Sequence, residues 1–145
     1  MDKNSFFWKI VDGKVPVPSC AKTLGLEFVE IDGERGTIET RFEAVESFLN
    51  PAGNVQGGFL AAMLDDTMGP AVFVMSEGRL YTATITMTVN FLAPAKVGPI
   101  TGEANVTQLG KTVAFVAGRL TADDGTVLAT ATTSARLVET VKAIR

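Results

Sequence analysis

Along this chain the spacing of apolar residues switches between about 3.6 and 2, and each switch marks an element. Residues 2–12 (DKNSFFWKIVD) place Phe6, Phe7, Ile10 and Val11 at helical spacing behind Asn4 or Ser5 as a cap, which predicts a short N-terminal helix. It is expected to pack on the rim, with Phe6, Phe7 and Trp8 as core or rim packing residues. Residues 14–19 (KVPVPS) predict an extended linker, because each proline biases the residue before it away from helix. Residues 24–31 and 36–42 alternate on either side of the Asp32-Gly33 turn and read as a hairpin.

Residues 50–75 (NPAGNVQGGFLAAMLDDTMGPAVFVM) break the alternation. Turn chemistry at Asn50, Pro51, Gly53 and Asn54 leads through a Gly57-Gly58 pair into a run whose only polar side chains are Asp65, Asp66 and Thr67. Such a run predicts a helix buried on nearly all sides. Pro70 is expected to kink it or free the Asp66 carbonyl. Residues 80–92 (LYTATITMTVNFL) then alternate strictly. They predict a strand with Thr82, Thr84, Thr86, Thr88 and Asn90 on one face and Ala83, Ile85, Met87, Val89 and Phe91 on the other.

Residues 100–109, 112–121 and 127–138 read as three more strands, separated by Gly110-Lys111 and by Asp123-Asp124-Gly125. Short connections among the last four strands predict an antiparallel meander lying on the buried helix. The expected class is α+β: a curved antiparallel β-sheet wrapped around a long central helix, the hotdog fold. Residues 1–145 read as a single domain, with 1–19 as N-terminal helix and linker and 20–138 as the core.

Composition narrows the function. The formal charge of -3 gives no basic field for a phosphate backbone, so nucleic acid is not an expected partner. Cys20 is the sole cysteine, which permits no intrachain disulfide and suits a reducing compartment. With no signal-like apolar run at the start and no long uninterrupted apolar stretch, a cytoplasmic protein without a membrane partner is expected. The chain has no histidine, which removes Ser-His-Asp and Cys-His nucleophile systems, histidine bases and histidine metal ligands. Chemistry must come from carboxylates, hydroxyls, amides and backbone dipoles.

A helix starting near Gly57 leaves its first N–H groups without intrahelical partners and puts the positive dipole end there, where a carbonyl oxygen becoming an oxyanion could be received. The glycine pair removes side chains that would block that approach. One such donor is commonly worth about 2.7 to 4 kcal/mol in the transition state. Asp65 lies about 12 Å further along the axis, at 1.5 Å per residue. One scissile bond reaches both only if a second copy of the helix runs antiparallel beside the first, as in a two-fold dimer. On the helical wheel Leu60, Leu64, Met68, Ala71 and Met75 form the stripe expected on the sheet. Gly58, Ala61, Ala62, Asp65 and Gly69 form an adjoining small-residue side. Asp66 points elsewhere and reads as hydrogen-bonded structure, so Asp65 is the candidate catalytic carboxylate.

These residues resemble the PaaI branch of the hotdog-fold acyl-CoA thioesterases, whose pattern runs approximately N-x-x-G-x-x-H-G-G, a short apolar stretch, an acid and a small residue four later. Asn50, Gly53, Gly57, Gly58, Asp65 and Gly69 match in register. TMTVNFLAPAKVG (86–98) and Gly110-Lys111-Thr112 with Ala114-Phe115 are similar to the family's following segments. The resemblance implies hydrolysis of an aryl- or medium-chain acyl-CoA thioester to free acid and CoA. By it, the Gly57 N–H polarises the carbonyl, and Asn50 fixes the loop or the attacking water. Asp65 of the partner subunit acts as general base or nucleophile, and Thr84 orients water, although its threonine row is equally a good strand surface. Gln56 stands where the family has histidine; it can still orient the loop by hydrogen bonds. Gly58, Lys96 and Lys111 are candidates for contact with substrate and CoA phosphates. No cofactor is implied, since coenzyme A is part of the substrate, and the family commonly pairs dimers into tetramers. A non-catalytic acyl-CoA-binding protein, a sensor or carrier, is the alternative. A hydratase is disfavoured by the missing histidine.

Overall fold

The computed structural model describes residues 6–143, so the cap expected at Asn4 or Ser5 lies outside the described residues. The elements run α1 (Phe6–Val11), α2 (Ser19–Leu24), β1 (Glu27–Asp32), β2 (Thr37–Ala44), a 3-10 turn (Glu46–Phe48), α3 (Gly57–Met75), β3 (Leu80–Phe91), β4 (Gly98–Leu109), β5 (Val113–Ala122), β6 (Val127–Glu139) and α4 (Thr140–Ala143). Helix α2 was not expected from the sequence, where the prolines dominate. Pro18 precedes its first turn, and Gly25 closes it in the left-handed conformation at φ 68, with its N–H on the Lys22 carbonyl.

All six strands pair antiparallel in the order β1-β2-β4-β5-β6-β3, and α3 packs against every one of them. The α+β hotdog arrangement holds, but the last four strands are not a simple meander. Strand β3 sits at the far edge beside β6, and β4 sits beside β2. Residues 92–97 therefore carry the chain across three strand spacings. At about 4.8 Å per spacing this is roughly 14 Å, within the ~20 Å that six extended residues reach.

The length and hydropathy of α3 match those of a membrane span, yet the sheet buries it. Met63, Leu64, Met68, Ala71 and Val72 are fully enclosed, each larger side chain contributing about 1.5–3 kcal/mol relative to exposure. Met75, expected on the sheet stripe, is only half-buried. The helix runs through Pro70 without interruption. Two glycines let it seat closely. A Cβ at Gly118 would lie 2.9 Å from Met68, and one at Gly102 would lie 2.5 and 2.6 Å from the Thr40 and Thr67 hydroxyls. Those hydroxyls bond each other at 2.8 Å, and Thr67 also donates to the Met63 carbonyl, so the pair is satisfied inside the core.

Strand β3 departs from the expected single alternation. Thr84 pairs with Ala135 and Thr86 with Ser134, leaving Ile85 as an extra, exposed residue. A bulge of this kind moves the following residues to the opposite face. Thr82 and Thr84 therefore face α3, and after the bulge Met87 and Val89 take that side. Thr86 bonds Ser134 at 2.7 Å on the outer, exposed face. The threonines do not form one row.

Candidate functional site

The loop ahead of α3 is fixed by its own polar groups. Asn50 Oδ1 accepts from the N–H of Ala52 (3.0 Å) and of Asn54 (3.2 Å), and Gly53 takes the left-handed conformation at φ 72. Lys96 Nζ donates to Asn54 Oδ1 at 2.6 Å and to the Gly53 carbonyl at 3.4 Å. Backbone bonds from Val55 to the Ala95 carbonyl and from Gln56 to the Phe48 carbonyl tie the loop down. Phe48 and Phe59 stack beneath it with ring centroids 4.1 Å apart. Asn50 thus holds the loop. Gln56 is exposed at the N-cap of α3 and makes no side-chain capping bond there, so the loop-orienting role considered for it is not formed in the chain.

Helix α3 then begins at Gly57, whose N–H has no intrahelical partner. A Cβ at Gly57 would lie 3.1 Å from the Phe91 ring, whereas one at Gly58 would meet nothing within 4 Å. Gly57 is small because Phe91 needs the space, and Gly58 faces an opening. Asn50, Asn54, Gly57, Leu60, Phe91 and Pro94 line one hollow at this end of the helix.

A second cavity, of about 270 Å³, lies on the other side of α3 and holds Asp65, Asp66 and Thr84. The Thr84 hydroxyl donates to Asp65 Oδ1 at 3.0 Å, and Asp65 is exposed. The small-residue side of α3 is open as expected: Gly58 and Asp65 are exposed, and Ala61, Ala62 and Gly69 are half-buried. Asp66 does not behave as the hydrogen-bonded structural residue the sequence suggested. Its Oδ2 is buried without a hydrogen-bond partner among the described residues, and burial, followed by the neighbouring Asp65 charge, pushes its carboxyl up to about 6.

The structure brings Asp65 together with Thr84, and brings Asn50 and Lys96 onto the same loop at Asn54, ahead of Gly57. It does not bring Gly57 and Asp65 together within one chain, since they line different hollows. Lys96 lies at the end of the sheet where β3 finishes. Lys111 lies in the exposed turn at the opposite end, beside the Thr112–Leu137 bond. Phe7, Ile10, Val17, Phe28 and Phe73 line the Asp65 cavity, so Phe7 is both a core residue and a pocket wall, against the expectation of packing alone. Helical spacing shows that Phe7 and Ile10 share a face, but not that this face meets a cavity under α3.

The thioesterase superfamily profile matches residues 52–129, which include α3, β3 and most of the sheet. A candidate thioesterase of Ralstonia eutropha JMP134, a phenylacetic acid degradation-related protein, has a solved structure that is 38% identical. It covers 91% of this chain and 99% of its own, with a TM-score of 0.86. A protein of Streptococcus mutans UA159 solved with bound acetyl-CoA is 20% identical, covers 79% of this chain and 89% of its own, and has a TM-score of 0.69. At that identity it speaks for the fold. A candidate esterase of Saccharolobus solfataricus is 28% identical over 95 residues, 66% of this chain and 66% of that protein, so the match spans about two thirds of that relative's length. With its hotdog fold and the profile match to residues 52–129, more than half its length, the chain belongs to the thioesterase superfamily, a family of thioester hydrolases.

Proposed function

We propose that the protein hydrolyses an aryl- or medium-chain acyl-CoA to the free acid and CoA, using two half-sites contributed by two copies of the chain. The observation that carries this reading is the separation of chemistry along α3. A free N–H at Gly57 opens on one hollow, and an exposed carboxylate at Asp65, held by Thr84, opens on another.

Strand β3 is a sheet edge with Tyr81, Ile85 and Phe91 exposed, a surface that favours pairing with another strand. A second copy added there would lay its α3 antiparallel to the first along Gly58, Ala61, Ala62 and Asp65. Each Asp65 would then meet the partner's Gly57. Small residues on this side permit the approach.

In the general-base form, Asp65 takes a proton from water as the water oxygen attacks the thioester carbonyl carbon. The resulting oxyanion is received by the Gly57 N–H, and the C–S bond breaks to release the CoA thiolate, which takes up the proton. Thr84 occupies Oδ1 of Asp65 and leaves Oδ2 for the water. In the nucleophilic form, the carboxylate attacks the carbonyl carbon directly, the C–S bond breaks to expel the CoA thiolate, and water hydrolyses the resulting mixed anhydride to the free acid and the Asp65 carboxylate, its proton passing to the thiolate. Asn50 and Lys96 keep the Gly57 loop in place, and Lys96 and Lys111 are the cations available to CoA phosphates. The acetyl-CoA bound by the Streptococcus mutans fold neighbour supports a CoA thioester as substrate. Gln56, exposed at the loop, is available to a ligand or partner side chain.

The test is release of free thiol from a panel of aryl- and medium-chain acyl-CoAs. Turnover with an Asp65→Ala variant as active as the parent would remove Asp65 from the mechanism.

A further inference from the structure

We infer that the N-terminal segment, and Phe7 in particular, selects the acyl group by forming a wall of the Asp65 cavity. Two parts of the chain divide that cavity. Asp65, Thr84 and Phe73 come from α3 and β3, inside the region shared with the thioesterase superfamily. Phe7, Ile10, Val17, Pro18, Ala21 and Phe28 come from residues that precede that region. The reacting groups and much of the apolar wall therefore lie on separable segments.

Helix α1 is six residues long, too short to persist alone. Its backbone hydrogen bonds are local, from Asp12 to Trp8 and from Lys14 and Val15 to Lys9. Side-chain packing fixes it to the body. Phe7 supplies that packing: it is buried, with ring centroids 5.2 Å from Phe28 and 5.3 Å from Phe73, in edge-on and tilted contacts. The ring is anchor and wall at once.

The cavity volume, about 270 Å³, sets the size of group it takes. Apolar cavities of ~150 Å³ hold one benzene. One aromatic ring with a short linker, or an aliphatic tail of similar bulk, fits beside the contacting Phe7–Phe73 pair, and a fused two-ring group with the same linker overfills the cavity. This inference rests on the acyl-CoA reading above, because it assigns the acyl end of that substrate.

The experiment compares kcat/KM for phenylacetyl-CoA and 2-naphthylacetyl-CoA in the parent, Phe7→Ala and Ile10→Trp, with Tm recorded for each. The expected result is a parent preference for phenylacetyl-CoA and a shift of at least tenfold toward naphthylacetyl-CoA in Phe7→Ala. Ile10→Trp, which narrows the cavity, should lose phenylacetyl-CoA turnover. Phe7→Leu serves if Phe7→Ala does not fold, and its shift should be in the same direction. An unchanged ratio in folded variants would overturn the assignment. If the parent hydrolyses none of the thioesters, the activity reading falls. The wall is then read from binding of phenylacetate and 2-naphthylacetate to the same variants, followed by the fluorescence of Trp8, the sole tryptophan, 5.8 Å from Phe7. An unchanged affinity ratio there overturns the inference independently.

Discussion

The Thr84 hydroxyl reaches Asp65 Oδ1 at 3.0 Å because Ile85 is an extra residue in β3. With strict alternation across the whole strand, Thr84 could not face α3 together with Met87 and Val89. The bulge lets the strand turn hydroxyls to the helix at one end and apolar side chains at the other. Bulges beside active sites commonly re-aim a side chain in this way.

Thr84→Val should lower kcat roughly tenfold, the equivalent of one hydrogen bond of about 1.4 kcal/mol to the carboxylate. KM should change little. Deleting Ile85 should cost less, because it removes only the extra residue and leaves Thr84 opposite Ala135 and Thr86 opposite Ser134, so Thr84 stays on the side of α3. Steady-state kinetics on both variants checks this, and a folded deletion variant that loses as much kcat as Thr84→Val would contradict it.

Asp66 gives stability a pH dependence of definite sign. Its carboxyl is pushed up from 3.8 to about 6, so between those values the folded chain binds more protons than the unfolded one. Stability contributed by this group therefore falls as pH rises through that window and stays lower above it. The Tm of the parent minus that of Asp66→Asn should decrease from pH 4 to pH 7 and then level off. A difference that is constant with pH would contradict the assignment.

The two glycines at the start of α3 should respond differently. Gly57→Ala presses on Phe91 at 3.1 Å and should lower both Tm and activity. Gly58→Ala meets nothing within 4 Å among the described residues, so its Tm measured at dilutions where the chain is monomeric should be unchanged or slightly raised. Its activity should nevertheless fall, because the added methyl occupies the opening reserved for substrate or partner. Thermal melts and thiol-release rates on the pair separate these effects.

Gly102→Ala should destabilise the fold by roughly 1–3 kcal/mol, since the new methyl collides with the buried Thr40–Thr67 hydroxyl pair. Urea unfolding measures it.

Most of the architecture was legible because α3 and the strands differ sharply in period. The alternation in 80–92 marked β3, and the apolar run after Gly57 marked the central helix. Strand order was not legible. Nothing in residues 92–97 shows that the chain crosses three strands, since the Val55–Ala95 backbone bond beneath it is long-range. The Ile85 bulge was also hidden, because Ile and Thr both suit a strand and only pairing with β6 reveals which residue is extra. For the site, the wheel placed Asp65 correctly on an open small-residue side. It misjudged Asp66, whose environment depends on what covers α3. The Phe7 wall was invisible for the same reason: it requires knowing where a six-residue helix docks.

The two-copy site is tested most directly by mixing two defective variants. Asp65→Asn removes the carboxylate, and Gly57→Pro removes the N–H at the first helical position, where the proline backbone suits the helix although its Cβ also presses on Phe91. Each alone should be nearly inactive. Unfolded together and refolded as an equal mixture, they should recover about a quarter of parental activity, because half the dimers are mixed and each mixed dimer holds one intact site of two. No recovery from a mixture shown to contain mixed dimers would contradict a site shared between Asp65 of one copy and Gly57 of the other.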